Sequence, residues 1–331
     1  MVFLVTGGCG FIGSRLISQL LAQGAAVRVI DNLSAGSPQT LAALGTLSLH
    51  EKGGASVSPP PPGAIQLLVG DIRDASLMEA ACAGIDVAVH LAANTGVAPS
   101  VADPVSDCHQ NVLGTLNLLE GCRRHGVGRL VSASSSAAVG LSCPPITEEA
   151  VPHPVSPYGA SKLAGEAYCS AYAQSFGIDT VCLRFGNVYG PGSSHKESVV
   201  ARFIRRALSG QPMEVFGDGS QTRDFIFIDD IVSAILASVA APGVAGEVFQ
   251  IASAAETTVA EIAAMLRGLL AEYGVATDIV EGPKRTGDVM RSYSCTDKAA
   301  NMLGWHPKTD LSDGLRLTVQ WFLENGRSRS P

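Results

Sequence analysis

Three glycines near the amino terminus constrain the fold more than any other feature of the sequence. They occur in the order Gly7-x-x-Gly10-x-x-Gly13, directly after the apolar run at residues 2–6 and at the start of a segment with helical periodicity at residues 12–21. A short apolar run of this kind is typical of a strand buried in a parallel sheet. The pattern therefore predicts a strand, a tight glycine turn and a helix whose amino terminus lies beside the turn.

Such a turn is suited to binding a phosphate group. Glycines let the backbone approach a pyrophosphate closely, and the start of the helix supplies free N–H groups with a positive dipole. The next apolar run, residues 25–31, ends in Asp31, whose carboxylate can accept hydrogen bonds from an adenosine ribose. Because the same charge would repel a 2′-phosphate, we predict a site for NAD rather than NADP. For the glycines alone, a tight turn without a ligand is the alternative.

Strand and helix patterns continue to alternate beyond this unit. Apolar runs at residues 65–71, 87–93 and 129–135 are separated by helical segments, one of them at residues 111–126. This alternation predicts the α/β class, with a Rossmann-type, doubly wound parallel sheet. Ligands of such sheets bind beyond the carboxyl ends of the strands, so the residues that end these runs are candidate site residues.

The composition excludes several classes of function. The 331 residues carry a net charge of −7 with a pI near 5.5, so the basic surface of a general nucleic-acid-binding protein is missing. No apolar stretch approaches the ~20 residues of a membrane span, and the first residues lack the basic region of a signal peptide. The eight cysteines are scattered without a metal-binding spacing. We therefore expect a soluble, cytoplasmic protein with no metal site and no disulfide framework.

A tyrosine and a lysine stand four positions apart in the segment SPYGASK, residues 156–162. On a helix, positions i and i+4 share a face, so Tyr158 and Lys162 would lie next to each other. A packed tyrosine beside a solvated lysine is the alternative to a catalytic pair, and the two residues alone do not decide between them.

Several longer motifs occur in a fixed order along the chain. They are TGGCGFIG (residues 6–13), HLAA (90–93), SSSAAVG (134–140), YGASK (158–162), RFGNVYGP (184–191) and GDGSQTRDFIFIDD (217–230). Together they resemble the extended short-chain dehydrogenase/reductase family, within it the nucleotide-sugar epimerases and dehydratases, and most of all the UDP-hexose 4-epimerases. The resemblance implies bound NAD and a nucleoside-diphosphate sugar, expected to be a UDP-sugar, as substrate.

The resemblance also implies catalytic roles. Tyr158 would act as general base in its phenolate form, and Lys162 would stabilise that phenolate and contact the nicotinamide ribose. Ser136 would share the proton on the substrate oxygen. Asn111 resembles a residue that keeps its helix in register near the active site, and a simple helix N-cap is its alternative.

Further ligand contacts follow from the resemblance and from the strand ends. The predicted cofactor-binding residues are Gly7, Gly10, Phe11, Ile12, Gly13, Asp31, Asn32, Asp71, Ile72, Leu91, Ala92, Ala93, Asn111, Ser134, Tyr158, Lys162 and Phe185. The predicted substrate-binding residues are Ser135, Ser136, Asn187, Phe216, Arg223, Arg285, Asp288 and Ser292. The two arginines would clamp a diphosphate or instead form surface ion pairs, and Phe216 would stack on a base or pack in the core.

The regular alternation ends near residue 187. We predict an NAD-binding domain at residues 1–186, which carries the catalytic residues, and a smaller α/β substrate lobe at residues 187–331. In similar proteins, helices equivalent to residues 103–125 and 158–176 pair across a two-fold axis, so the resemblance implies a homodimer. The apolar residues expected on those two helices are Val112, Leu116, Leu119, Leu163, Ala167 and Tyr172.

The reaction predicted for the site is epimerisation at the sugar C4. Dehydratases of this family carry an Asp-Glu pair after the catalytic hydroxyl, whereas this chain has Ala137 and Ala138, which cannot transfer protons. Residues 94–99 contain no cation to pair with a uronate, and the small Ser292 would leave room for an N-acetylated sugar. A UDP-glucuronate 4-epimerase, or another nucleotide-sugar epimerase or dehydratase, is the alternative. The chain also lacks the tyrosine that the family usually has between the positions of Val139 and Gly140.

Overall fold

The apolar runs of the sequence become strands in the computed structural model, which describes residues 1–50, 58–284 and 289–326. The strands are β1 (Val2–Thr6), β2 (Ala26–Asp31), β3 (Leu47–His50), β4 (Ile65–Val69), β5 (Val87–His90), β6 (Arg129–Ser135), β7 (Asp179–Phe185), β8 (Asn187–Tyr189), β9 (Met213–Phe216), β10 (Thr222–Arg223), β11 (Phe225–Phe227), β12 (Glu247–Ile251), β13 (Thr257–Thr258) and β14 (Ile279–Gly282).

Helices connect most of these strands. They are α1 (Phe11–Ala22), α2 (Pro38–Ala42), α3 (Ala75–Cys82), α4 (Val97–Ala102), α5 (Pro104–Cys108), α6 (Gly114–His125), α7 (Pro157–Phe176), α8 (Val199–Leu208), α9 (Ile228–Ala240), α10 (Val259–Glu272), α11 (Asp297–Leu303) and α12 (Leu311–Gly326). A π-helical turn, His109–Leu113, joins α5 to α6, and a 3-10 turn, Ser136–Ala138, follows β6. None of the helices in the described residues is both long and apolar enough to cross a bilayer.

Eight of the strands form one parallel sheet in the order β12-β7-β6-β5-β1-β2-β4-β3. The order reverses on either side of β1, and helices cover both faces, so the fold is the Rossmann-type doubly wound sheet that the sequence predicts. The edge strand β3 was not among the predicted strands.

Both faces of the central strands are buried, which explains why these strands are almost continuously apolar, whereas the edge strand β3 is mostly exposed. In β1, Phe3 and Val5 pack into one apolar cluster and Leu4 into another, because successive side chains of a strand point to opposite faces. All eight cysteines are free, in agreement with the prediction that they form no disulfide framework.

A second lobe has its own apolar core. Helices α8, α10 and α12 enclose this core, where Phe203, Ile204, Leu266 and Leu270 are buried together. The predicted division at residues 186/187 marks the place where the chain leaves the sheet, directly after β7. The chain returns, however, because β12 pairs with β7 and buries Phe249 and Ile251 in the first lobe. The two lobes are therefore interleaved along the sequence.

The glycine turn between β1 and α1 is as tight as its sequence requires. Gly7 has a φ of +71°, in the region that favours glycine, and the Gly10 N–H donates to the Gly7 carbonyl. A Cβ added at Gly13 would lie 2.3 Å from the Gly7 carbonyl oxygen. Only a glycine at position 13 therefore lets α1 begin against the turn.

This contact predicts that Gly13→Ala destabilises the protein. The methyl group would displace the turn and the start of α1, at a cost of about 1–3 kcal/mol. The matched control is Gly268→Ala in α10, where an added Cβ has no neighbour within 4 Å. The control should be neutral or stabilising by up to ~1 kcal/mol, because alanine favours a helix over glycine. Urea unfolding measures both, and equal midpoints for the two variants would contradict the argument.

Candidate active site

A cleft of about 1010 Å³ opens at the carboxyl ends of the central strands and extends to the second lobe. Sites for a single small molecule usually measure roughly 300–1,000 Å³. The cleft lies at the upper end of that range and therefore has room for a ligand as large as a dinucleotide.

Most of the predicted cofactor residues line this cleft. Those that do are Gly7, Gly10, Phe11, Ile12, Gly13, Asp31, Asn32, Ile72, Leu91, Ala92, Ala93, Ser134, Tyr158, Lys162 and Phe185. Asp71 and Asn111 are not among the lining residues. The Asp71 carboxylate instead pairs with Arg73, which holds the pKa of Asp71 at about 2, and accepts a hydrogen bond from Asn32. Asp71 thus positions Asn32, which itself lines the cleft.

The Asp31 carboxylate connects the glycine turn to the end of β2 by hydrogen bonds. Its Oδ2 atom accepts a hydrogen bond from the Cys9 N–H at 2.9 Å, and its Oδ1 atom accepts one from the Leu33 N–H at 2.8 Å. Each carboxylate oxygen has more than one lone pair, so both remain able to accept a ribose hydroxyl. The carboxylate is therefore fixed at the end of the cleft beside the glycine turn, and it keeps that end negative.

Tyr158 and Lys162 lie together on the first two turns of α7, and both line the cleft. The helix begins with Ser156 as N-cap, whose Oγ accepts a hydrogen bond from the Gly159 N–H. The Lys162 Nζ atom lies 6.0 Å from the centre of the Tyr158 ring and donates to the Ala133 carbonyl of β6 at 2.9 Å. The helical spacing thus brings the two groups to one side, as predicted, and the lysine is not a solvated surface residue.

Burial moves the pKa values of these two groups in opposite directions. It raises the pKa of Tyr158, while a hydrogen bond from the Ser135 side chain, which favours the phenolate, works against that rise. Burial lowers the pKa of Lys162 to about 8, against the support of nearby negative charge. The lysine is therefore an ammonium ion at neutral pH and becomes neutral as the pH rises through about 8.

Ser135, and not the predicted Ser136, lines the cleft together with Tyr158. Strand β6 continues through Ser135, whose Oγ also accepts a hydrogen bond from the Ala137 N–H at 3.2 Å. Ser136 already belongs to the following 3-10 turn and is absent from the residues that line the cleft. The serine at the cleft is thus one position before the serine predicted to be catalytic. The missing tyrosine between Val139 and Gly140 was the sequence signal for this shift, because it changes how the serine run aligns.

Asn111 lies inside the π-helical turn rather than at a helix start, so the N-cap alternative is wrong. Its Oδ1 atom accepts a hydrogen bond from the Asn94 N–H at 2.8 Å. Its Nδ2 atom shares its two hydrogens among three acceptors, which are Asp107, Ser161 and the Asn94 carbonyl. Asn111 therefore connects the loop after β5 with α7, behind the wall of the cleft.

The second lobe contributes three of the predicted substrate residues to the cleft: Asn187, Phe216 and Arg223. Arg223 donates to the backbone carbonyls of Thr222 and Val289. Ser292 does not line the cleft, so its predicted role in sugar selection gains no support from the structure. Arg285 and Asp288 lie outside the described residues.

The cleft also contains two cations, Arg202 and Lys196, that no sequence motif singles out. The Arg202 guanidinium of α8 lies 4.5 Å from the centre of the Phe216 ring, a cation–π contact at the wall of the cleft. Lys196 lines the cleft just before α8, where burial lowers its pKa. No sequence signal separates either residue from an ordinary surface cation. In the described part of the chain, no group of three or more potential ligands could hold a metal ion.

Comparisons with known proteins agree with this geometry. The UDP-glucose 4-epimerase of Mycolicibacterium smegmatis is 36% identical over 329 residues, which cover 96% of this chain and 97% of that protein. The crystal structure of the Thermotoga maritima UDP-glucose 4-epimerase with UDP-glucose superposes with a TM-score of 0.87 at 35% identity, covering 98% of this chain and 99% of that one. The NAD complex of the Thermus thermophilus UDP-glucose 4-epimerase has a TM-score of 0.84 at 35% identity, covering 98% of this chain and 100% of that one.

Relatives with other activities are almost as similar. A dTDP-glucose 4,6-dehydratase of Streptomyces niveus is 33% identical, over 98% of this chain and 94% of that protein. A UDP-glucuronate 4-epimerase of Thermodesulfobacterium geofontis is 32% identical, over 98% of this chain and 96% of that protein.

The family model of the NAD dependent epimerase/dehydratase family matches residues 3–252, which include the glycine turn, Asp31 and the Tyr158–Lys162 pair. The glycine cradle and the carboxylate of Asp31 fit the cofactor that this family uses, which is NAD. The chain therefore belongs to the NAD-dependent epimerase/dehydratase family.

Proposed function

We propose that this protein is a nucleotide-sugar 4-epimerase that interconverts UDP-hexoses through a transient 4-keto sugar. The proposal is supported by the cluster of Ser135, Tyr158 and Lys162 at the cleft and by the UDP-glucose 4-epimerases among its relatives. Oxidation at C4 followed by reduction from the other face leaves no net change of redox state, so no second redox partner is required.

The three side chains supply the proton transfer of this reaction. Tyr158 would take the proton of the C4 hydroxyl and later return it, as a general base and then a general acid. Lys162 favours the phenolate by its positive charge, and Ser135 favours it by its hydrogen bond. Bound NAD supplies the acceptor and donor of hydride.

The observation that carries the choice of epimerisation is that the described residues lining the cleft place no free carboxylate beside Tyr158. Of the described residues that line the cleft, two carry carboxylates, Asp31 and Glu197. Asp31 is bonded to the glycine turn, and Glu197 pairs with Arg205 at 2.8 Å. A 4,6-dehydration must also remove the proton at C5 and expel the hydroxyl at C6. The described residues that line the cleft offer no free carboxylate for those steps, so the ketone is more simply reduced again at C4.

The loop after β5 favours a neutral sugar. Residues 95–99 line the cleft, and none of them carries a positive charge that could pair with the carboxylate of a uronate. At the other end of the cleft, Arg202, Phe216 and Arg223 offer an aromatic face and two cations, which suit a pyrimidine base and a diphosphate. We therefore favour UDP-glucose and UDP-galactose, with their N-acetylated forms as further candidates.

The proposal is tested by incubating the purified protein with UDP-glucose, UDP-N-acetylglucosamine or UDP-glucuronate without added cofactor. Proton NMR should show the 4-epimer of a neutral sugar. Tyr158→Phe should slow its formation by roughly 10²–10⁴-fold, the usual contribution of general acid–base catalysis. Unchanged spectra for all three sugars, from protein that carries NAD, would contradict the proposal, and turnover of UDP-glucuronate alone would establish the alternative substrate.

The choice of Ser135 over Ser136 as the catalytic hydroxyl predicts different effects for substitutions at these two positions. Ser135→Ala removes the hydrogen bond to Tyr158 and should lower kcat by roughly 100-fold, as the loss of one donor at a reacting oxygen does elsewhere. Ser136→Ala is the matched control and should retain nearly full activity, because Ser136 does not line the cleft. Steady-state kinetics of both variants show which of the two serines supports catalysis. The reverse order of effects would restore Ser136 as the catalytic hydroxyl.

We also propose that two copies associate through α4, α5 and α7. Helices α4 and α5 pack against α7. Exposed apolar side chains lie on the three helices, with Val101 61% and Val105 64% exposed and Tyr168 and Phe176 also open to solvent. Leu119 and Tyr172, which the sequence placed on this face, are instead buried in the core of the chain.

The proposed face predicts that Val105→Lys yields a monomer in sedimentation equilibrium, because a lysine there would repel its copy across a two-fold axis. Val280→Lys, on the exposed β14 of the second lobe, is the control and should leave the dimer intact. If Val105→Lys still formed a dimer of unchanged affinity, the interface would lie on another face of the protein.

A further inference from the structure

Asp107 is a buried carboxylate close to the catalytic pair for which the motifs provide no role. It lies in the last turn of α5, and only 1% of its surface is exposed. Its Oδ2 atom has no hydrogen-bond partner among the described residues. Within the same part of the chain, no lysine, arginine or histidine pairs with it. Burying a carboxylate in this state is costly, and such costs cluster at functional sites.

The Oδ1 atom of Asp107 holds two amide groups. It accepts a hydrogen bond from Asn111 Nδ2 at 3.1 Å and a longer one from Asn94 Nδ2 at 3.4 Å. Because a carboxylate accepts only, it fixes which side of the Asn111 amide carries the nitrogen. The Asn111 oxygen is thereby turned towards the Asn94 N–H.

A continuous chain of hydrogen bonds leads from this amide to the first turn of α7. Asn111 Nδ2 also donates to Ser161 Oγ at 3.0 Å, and Ser161 Oγ donates to the Tyr158 carbonyl at 3.0 Å. Ser161 is itself buried beside Lys162. Asp107 is therefore joined, through two residues, to the backbone that carries the catalytic tyrosine.

Several titratable groups face Lys162, and Asp107 is one of them. Asp107 supplies a negative charge, and no described cation forms an ion pair with it. The groups facing Lys162 are Asp107, Tyr158, Glu166, Cys169, Cys182 and His90. Glu166 is already held by Arg184 in a buried ion pair with two hydrogen bonds. Burial lowers the pKa of His90 to about 3, and the Cys169 side chain and burial raise the pKa of the Cys182 thiol, so both are neutral.

We propose that Asp107 is a positioning residue of this site, whose carboxylate orients the Asn111 amide and keeps Lys162 an ammonium ion. The orienting role depends on the hydrogen bonds and burial described above, and the catalytic consequence rests on the proposed function. Asp107 acts through its neighbours and does not line the cleft.

The charge of Asp107 raises the pKa of both Lys162 and Tyr158, the first by attraction of the ammonium and the second by repulsion of the phenolate. Without that charge, Lys162 would lose its proton at a lower pH than about 8, and Tyr158 would ionise at a lower pH. Both transitions therefore move in the same direction, towards acid.

The test is Asp107→Asn, which keeps the shape and one accepting oxygen but removes the charge. Tyrosinate formation in the NAD-loaded protein is followed by ultraviolet absorption against pH, and the same titration with Tyr158→Phe isolates the signal of Tyr158. We expect its midpoint to fall by about one pH unit or more. The fall of activity at high pH, where Lys162 is deprotonated, should move to lower pH with it. Asp230→Asn is the control, since Asp230 is also buried but accepts from the backbone N–H groups of Lys308 and Thr309.

An unchanged tyrosinate midpoint in folded Asp107→Asn protein would overturn the proposal, even if its activity fell. Because the titration needs no turnover, it decides the role of Asp107 even if none of the tested sugars is a substrate. Should Asp107→Asn not fold, Asp107→Ser makes the same measurement with a smaller neutral side chain.

Discussion

The close contact between the start of α7 and the end of β6 is the constraint on which the site depends. A Cβ added at Gly159 would lie 2.3 Å from the Ala137 carbonyl oxygen, so a glycine at this position lets the helix approach the strand end. Lys162 completes the contact with its hydrogen bond to the Ala133 carbonyl. Because of this approach, the hydroxyl of Ser135 and the phenol of Tyr158 meet although they belong to separate elements.

This contact places the charged Lys162 in a buried environment, which shifts the pKa of the lysine. The lysine keeps its ammonium only because surrounding groups compensate for the loss of water, and buried polar networks of this kind depend on every member. On one side, the Glu166 carboxylate accepts hydrogen bonds from the Ser134 hydroxyl and the Arg184 guanidinium. These bonds hold the end of β6 in place. On the other side, the Asp107–Asn111–Ser161 chain reaches the same helix turn. The tyrosine thus lines the cleft while two buried networks hold the elements around it.

Local patterns were enough to predict the framework of the site. The glycine turn, Asp31 and the pair on α7 depend on spacings of a few residues, which strand and helix geometry fix directly. The choice between Ser135 and Ser136 could not be made in this way, because it depends on where β6 ends and the 3-10 turn begins. Likewise, β12 joins the sheet from beyond the predicted domain boundary, and that pairing is a contact between distant parts of the chain. The roles of Asp107 and Arg202 arise from tertiary packing, which no local spacing in the sequence reveals.

The central claim is that the hydrogen removed from C4 returns to C4 in the same site. UDP-glucose that carries deuterium at C4 tests this claim most directly, with the position of the label in the product read by NMR. We expect the deuterium to remain at C4 in UDP-galactose, because no group of the described cleft offers a route for it to another carbon. Deuterium found at C6, with loss of the C6 hydroxyl, would show a dehydratase, and loss of the label to water would show that C4 is not the site of a protected hydride transfer.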